Sequence, residues 1–331
     1  MAQIAEPAVP VGGPDQLGGG PAGEAIVGRS PGELLWRRFR KDRAAMISLV
    51  FLIVLALMAF VGAPLISKYV AHHGPGDQFI RETINEFGVV HQGPSGRFWF
   101  GADTGGRDLF VRVLYGARTS LIIALIATGL EVLIGVTLGL IAGFYRGKTD
   151  TFISRLGEVV LSMPILLLAL GLVAACGLSK EGCLGGLIKP GLLLVSYVIG
   201  LFSWPYIARI VRGQVLSLRE KEFVEASRSL GASNRRIMFR EILPNLLAPI
   251  IVYATLIIPT NILFEAALSF LGIGVPEEIP SWGAMLEQAS ETYTFAWWTM
   301  FFPGMFLLGT TLAFNLLGDG LRDAYDPRMA D

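Results

Sequence analysis

Six stretches of this 331-residue chain stay apolar long enough to cross a bilayer: roughly 44–66, 117–145, 151–176, 190–212, 246–272 and 295–319. A spanning helix needs about 20 predominantly apolar residues, and each stretch meets that length. Residues 45–66, "AMISLVFLIVLALMAFVGAPLI", are apolar on every face, whereas a barrel strand alternates apolar and polar positions. The pattern therefore predicts an all-α membrane protein with six transmembrane helices.

The polar remainder sets the organisation. Residues 1–32 are rich in Gly and Pro without an apolar period and read as a disordered tail. Residues 33–116 hold an amphipathic segment, the first span and a long loop; 117–319 form the core, and 320–331 a short terminus. "RRFRKDR" before the first span is similar to the start of a signal peptide, but the apolar run after it is too long and lacks a cleavage site, so it reads as an uncleaved anchor. Composition agrees: 53% of residues are hydrophobic and 16% charged, with mean hydropathy +0.57. A formal net charge of zero lacks the basic excess of a nucleic-acid binder. Lys and Arg number six before the first span, two at 146–150, six at 213–245 and two after 319, against five, two and none in loops 67–116, 177–189 and 273–294. Cytoplasmic loops carry the cations, and long loops such as 67–116 cross regardless of charge. Both termini and segment 213–245 are thus expected in the cytoplasm.

That segment contains "EFVEASRSLGASNRRIMFREILPN", Glu222 to Asn245, with seven charged residues between two spans. Gly231 and the following "ASN" predict two short helices joined by a turn. Phe223, Ala226, Leu230, Ile237 and Ile242 are expected on one side, and Pro244 is expected to end the second helix. Two readings are open: a docking element, or a basic helix lying on anionic membrane lipid. Glu225-Ala226-Ser227, then Gly231, then Ile242-Leu243-Pro244, resembles the EAA loop of bacterial ABC importer permeases, with Ser227 where the family has Ala. "FGADTGGRDLFVRVLYGARTSL", "EAALSFLGIGVPEEIPSWGAML" and the ending "GDGLRDAYDPR" resemble the C-type permease of dipeptide and oligopeptide importers over about residues 33–328. Nickel importers share this architecture and remain the alternative.

The resemblance implies the ABC type I importer permease fold in a bacterial cytoplasmic membrane. It further implies a homologous second permease, two ATPase subunits or domains carrying ATP and Mg, and an extracytoplasmic peptide-binding protein. Glu222, Glu225, Ala226, Ser227, Arg228, Gly231, Ala232, Arg235, Arg236, Ile242, Leu243 and Pro244 would form the ATPase-coupling loop. The chain itself would be non-catalytic, without a cofactor or metal. "GFYRGKT", residues 143–149, is one residue short of a phosphate loop between its glycines and has no strand before it.

Acids inside apolar spans are costly and therefore informative. Glu131, Glu158 and Glu265 are candidates for lining the pathway or for bonding helices together. Gly135, Gly139 and Gly143 make a smooth strip suited to close contact with a neighbouring span or a partner permease. Pro164, Pro205 and Pro259 interrupt spans, as hinges or as static kinks. Asp103, Arg107 and Asp108 form either an ion-paired turn or part of a binding-protein contact, for which Glu277 and Glu278 are a second candidate surface. Trp282, Trp297 and Trp298 read as interfacial belt residues. His72, His73 and His91 lack converging metal ligands. Cys176 and Cys183 flank a short external loop, as a disulfide or as two thiols. An ion-coupled transporter would give the 222–245 segment no role. An intramembrane enzyme needs a nucleophile and base or a metal pair, and the spans hold no His.

Overall fold

A computed structural model describes residues 31–84, 92–177, 191–276 and 278–325. These form helices α1 (Pro31–Phe39), α2 (Arg43–Ala71), α3 (Ile80–Thr83), α4 (Leu109–Tyr145), α5 (Gly147–Ser162), α6 (Ile165–Gly177), α7 (Leu192–Leu218), α8 (Glu222–Ser229), α9 (Asn234–Phe270), α10 (Trp282–Ala289) and α11 (Trp298–Tyr325). Among the described residues only isolated bridges pair extended backbone, Gln78 with Arg107 and Ala102 with Asp108. The fold is the expected helical bundle. Five helices are long and apolar enough to span, and α5 with α6 makes a sixth crossing only if the bent pair counts as one span.

That pair corrects the expectation of a single helix over 151–176. The two axes differ by 79°, and the break falls at Met163, which is extended (φ −85°, ψ 136°). Pro164 explains it, because a proline ring excludes its predecessor from helical backbone geometry. Pro205 and Pro259, by contrast, lie inside continuous helices.

The centre of the bundle is the contact between α4 and α7. A Cβ on Gly135 would sit 2.8 Å from the Ile207 Cβ, one on Gly139 2.5 Å from the Ala208 carbonyl oxygen, and one on Gly143 2.7 Å from the Val215 Cβ. Gly200 on α7 returns the arrangement against Leu130 and the Ala127 carbonyl. The strip therefore packs on a neighbouring span of the same chain. Two apolar clusters extend the contact. Ile123, Val195, Ile199 and Leu268 join Val173 of α6 at one end, and Leu140, Phe144, Val211 and Val215 receive α8 and the start of α9 at the other. Phe39 and Ala45 pack on Ala324, so the beginning of α2 and the end of α11 lie together.

At the end of the bundle opposite α8, residues 72–84 and 92–108 fold over the start of α4. Asp103 Oδ1 accepts the Gly105 and Arg107 amides at 2.9 Å, and its Oδ2 accepts Arg107 Nε at 2.8 Å and lies 3.0 Å from Arg112 Nε. Arg107 Nη2 also donates to Gln288 Oε1 of α10, at 3.2 Å. Asp108 caps α4 through the Phe110 and Val111 amides and lies 3.4 Å from His73 Nε2. Asp103, Arg107 and Asp108 are all buried. Of their two expected roles the ion-paired turn is seen in this chain: amides and guanidinium groups surround Asp103, and amides and His73 hold Asp108. The belt reading fails similarly for Trp282 and Trp298. Both are buried, and their indole N–H groups donate to the carbonyls of Val113 and Ala102 at 3.2 and 3.0 Å. Of these three, Trp297 alone is exposed.

Two measurements check this description. Gly139→Ala drives a methyl group into α7 backbone and should cost about 1–3 kcal/mol. Gly129→Ala, with nothing within 4 Å, should gain about 0.5–1 kcal/mol through helix propensity. Thermal melting of the purified chain should shift in opposite directions, and equal shifts would refute the close contact. For Asp108, burial holds the carboxyl above its usual range against the pull of the Val111 amide, His73 and the Phe110 amide. A raised native value means that folding takes up a proton: the contribution is full below the unfolded value of about 3.9 and is lost as pH rises through the native one. Asp108→Asn keeps the cap and should flatten the melting temperature between these limits. An unchanged profile would show that burial does not govern this carboxyl.

Candidate coupling element

α7 ends at Leu218 and, after a short turn, α8 begins at Glu222. Glu222 and Glu225 occupy its first turn and Arg228 its last, the arrangement a helix dipole favours. α8 stops at a left-handed residue, Gly231 at φ 77°, and the Ala232 amide reaches back 3.1 Å to the Ser227 carbonyl. This closure favours glycine because a Cβ is strained at positive φ. Ser233 then caps the next helix through the Arg236 amide.

The second helix does not end at Pro244. Asn234–Phe270 is one continuous helix, which corrects the expectation of a separate short helix before the span. Residues Ile237–Ile242 are π-helical, and the Leu243 amide bonds the Met238 carbonyl five residues back. Pro244, in the first turn after this widened segment, cannot donate to the Arg240 carbonyl, and Asn245 Nδ2 returns a bond to the Glu241 carbonyl at 2.6 Å. A local change of helix type thus accommodates the ring without a break.

The element is seated by Val224, Ile237, Met238, Ile242 and Leu246, which are buried against α4 and α7. Ile237 and Ile242 point inward as expected. Phe223, Ala226 and Leu230 do not: they are exposed, and Val224 takes the inward place. α8 has its own axis, so its phase does not follow from that of the helix after the turn. Ion pairs fix the rim. Arg146, between α4 and α5, pairs with Glu220, and its hydrogen bond holds that carboxyl below the usual range. Arg212 Nη2 donates to Asp150 Oδ2 at 2.7 Å. The Arg219 guanidinium donates to the Phe144 carbonyl and lies 5.8 Å from the centre of its ring.

Facing outward are Glu222, Glu225, Ala226, Arg228, Gly231, Arg235, Arg236 and Pro244; Ser227, Ala232 and Leu243 are half-buried, and Ile242 is buried. Arg219, Glu220, Glu225, Arg228 and Ser229 line a shallow depression. Leu230 is 88% exposed and Phe239 55%. Sequence reasoning missed Phe239, whose signal was its position one residue out of phase with Met238. The result is a charged surface with large apolar side chains standing on a rigid base.

The three membrane acids separate. Glu265 accepts Ser120 Oγ at 2.9 Å and Ser269 Oγ at 2.8 Å, and Glu131 accepts Asn261 Nδ2 at 3.3 Å while that amide also bonds Thr128 Oγ1 at 2.9 Å. Both acids are buried and tie α4 to α9. Glu158 is exposed and pairs with Arg155 at 2.8 Å. Glu278 is exposed; Glu277, His91 and Cys183 lie outside the described residues, and Cys176 is buried at the end of α6. Among the described residues no group of three or more His, Cys, Asp or Glu side chains is placed to hold a metal.

Two family profiles match: "Binding-protein-dependent transport system inner membrane component" over residues 135–331, and "N-terminal TM domain of oligopeptide transport permease C" over 30–94. The dipeptide transport system permease protein DppC of Alkalihalophilus pseudofirmus is 40% identical, covering 91% of each chain. The oligopeptide transport system permease protein OppC of Bacillus subtilis is 38% identical over 89% of this chain and 90% of that one. The glutathione transport system permease protein GsiD of Pectobacterium atrosepticum is 37% identical over 91% and 92%. Among solved structures, an inward-facing MetNI methionine ABC transporter chain aligns with TM-score 0.53 and 20% identity, over 65% of this chain and 96% of that one, a likeness of fold alone. With a profile over more than half its length and relatives of this identity, the chain belongs to the family of binding-protein-dependent transport system inner membrane components.

Proposed function

We propose that this chain is the C-type permease subunit of an ATP-driven importer for dipeptides or oligopeptides, forming half of the pathway and coupling it to separate ATPases. One observation carries the coupling role: α8 and the first turns of α9 present Glu225, Arg228 and Leu230 outward from a base buried against α4 and α7. A push on that surface is delivered to the spans rather than absorbed by a loop. The peptide substrate rests on relatives whose names specify dipeptide, oligopeptide and glutathione transport. The distribution of Lys and Arg supports placing α8 and both termini in the cytoplasm. On this reading the chain is non-catalytic; ATP and Mg belong to two partner ATPase subunits or domains, and a homologous permease completes the pathway. An extracytoplasmic peptide-binding protein would meet the opposite end, where Glu277 and Glu278 remain candidate contacts. The ATP-bound and resting assemblies favour different openings, and the coupling element carries that difference in free energy between them.

In proteoliposomes containing the whole complex, a labelled dipeptide should enter only with ATP and binding protein. Glu225→Lys should assemble yet lose most uptake. Full uptake by this variant would remove Glu225 from the coupling role, and stimulation by nickel but not peptide would overturn the substrate. Leu230→Asp should leave the melting temperature of the isolated chain unchanged and weaken ATPase association by about tenfold or more, as expected for an apolar anchor at an interface. Unaltered association would show that Leu230 lies outside the contact.

A further inference from the structure

α5 has three distinct faces. Ile153 and Gly157 are turned into the bundle; Phe152, Leu156 and Val159 are exposed and apolar; Thr151, Arg155, Glu158 and Ser162 are exposed and polar. The polar set recurs at intervals of four, three and four residues, which is one stripe of a helix. A Cβ on Gly157 would lie 3.3 Å from Pro205, so Glu158 stands level with the middle of α7, a helix of 27 residues. Polar side chains exposed at that depth face water, a ligand or a neighbouring helix rather than lipid.

Beside this stripe is a cavity of about 310 Å³ between α5 and α7, its walls including Ile153, Ser154, Glu158, Trp204, Pro205 and Arg209. Arg209 is exposed and lies nine residues before the end of α7, about 14 Å inside it at 1.5 Å per residue. Its neighbour Arg212 is engaged by Asp150, whereas no hydrogen bond or ion pair engages Arg209 among the described residues. A guanidinium is never neutral in a protein and is shaped to take both oxygens of a carboxylate. Glu158 supplies the opposite charge in the same cavity, held only by an exposed pair with Arg155, which is easily exchanged. Ile153, Trp204 and Pro205, together with Arg212, line the same cavity.

We propose that this cavity is a substrate subsite of the pathway, in which Arg209 binds the terminal carboxylate of a short peptide and Glu158 its ammonium group. This rests on the peptide-importer reading and adds to it the side chains that would recognise the peptide termini within the membrane.

The test uses the assembled complex in nanodiscs without nucleotide, with Ser154→Cys as reporter and a membrane-impermeant maleimide. Dialanine should slow the labelling. The half-protecting concentration should rise by about tenfold or more when dialanine amide replaces dialanine, as expected for loss of one charge-assisted hydrogen bond. Arg209→Gln should cause the same rise with dialanine and no further rise with the amide, since two changes to one contact are not additive. Arg209→Lys should recover part of the affinity. Should Arg209→Gln fail to assemble, the comparison of the two peptides still decides. Absence of labelling would mean that the cavity is closed by the partner permease; labelling indifferent to peptide, or additive losses, would mean that Arg209 does not bind the carboxylate. Each result overturns the subsite. Dipeptide uptake by the unsubstituted complex, measured in parallel, separates the two readings: no uptake rejects the importer, whereas uptake without protection rejects the subsite alone.

Discussion

The bundle depends on the contact of α4 with α7 through Gly135, Gly139, Gly143 and Gly200. In lipid, burial of apolar side chains gives helices little reason to associate, because the surroundings are as apolar as the side chains. What remains is dispersion at short range and hydrogen bonding between side chains. Removing the side chains at these glycines brings backbone to backbone and gains the first. The buried sets Glu131–Asn261–Thr128 and Glu265–Ser120–Ser269 supply the second between α4 and α9. In a low-dielectric core an unmatched polar group is expensive, so such sets also select one register of the helices.

This explains how the candidate coupling element is held. α8 is eight residues long, too short to be stable as an isolated helix, and it contributes a single fully buried side chain, Val224. Its order comes from the base: the apolar seat on α4 and α7, the left-handed closure at Gly231, and the rim fixed by Arg146, Arg212 and Arg219. The outward face is therefore free to carry charge and exposed apolar side chains without supporting the fold.

Most of the architecture was legible because spans are long and announce themselves by composition. The helical class, five of the spans, the glycine strip and the turn at Gly231 all follow from local sequence. The departures have physical causes that a linear pattern hides. Pro164 broke a span and Pro244 did not, because the second is absorbed by the π-helical turn over Ile237–Ile242. Trp282 and Trp298 were misplaced because the carbonyls that accept their N–H groups, Val113 and Ala102, are more than 150 residues away in the chain. The inward role of Val224 needed the axis of α8, which is set by tertiary packing. Burial of Asp103, Arg107 and Asp108 likewise required the distant Gln288 and the fold of residues 72–79.

α9 runs without interruption from Asn234 beside the exposed charged surface to Phe270, five residues beyond Glu265. Its 37 residues make a rod about 55 Å long at 1.5 Å per residue. The two polar sets fasten that rod to α4 one helical turn apart, at Asn261 and Glu265, and the glycines fasten α4 to α7. The fastening sits toward the Phe270 end, while the opposite end of the same rod carries the exposed Arg235 and Arg236, so the polar pins and the charged surface share one uninterrupted backbone.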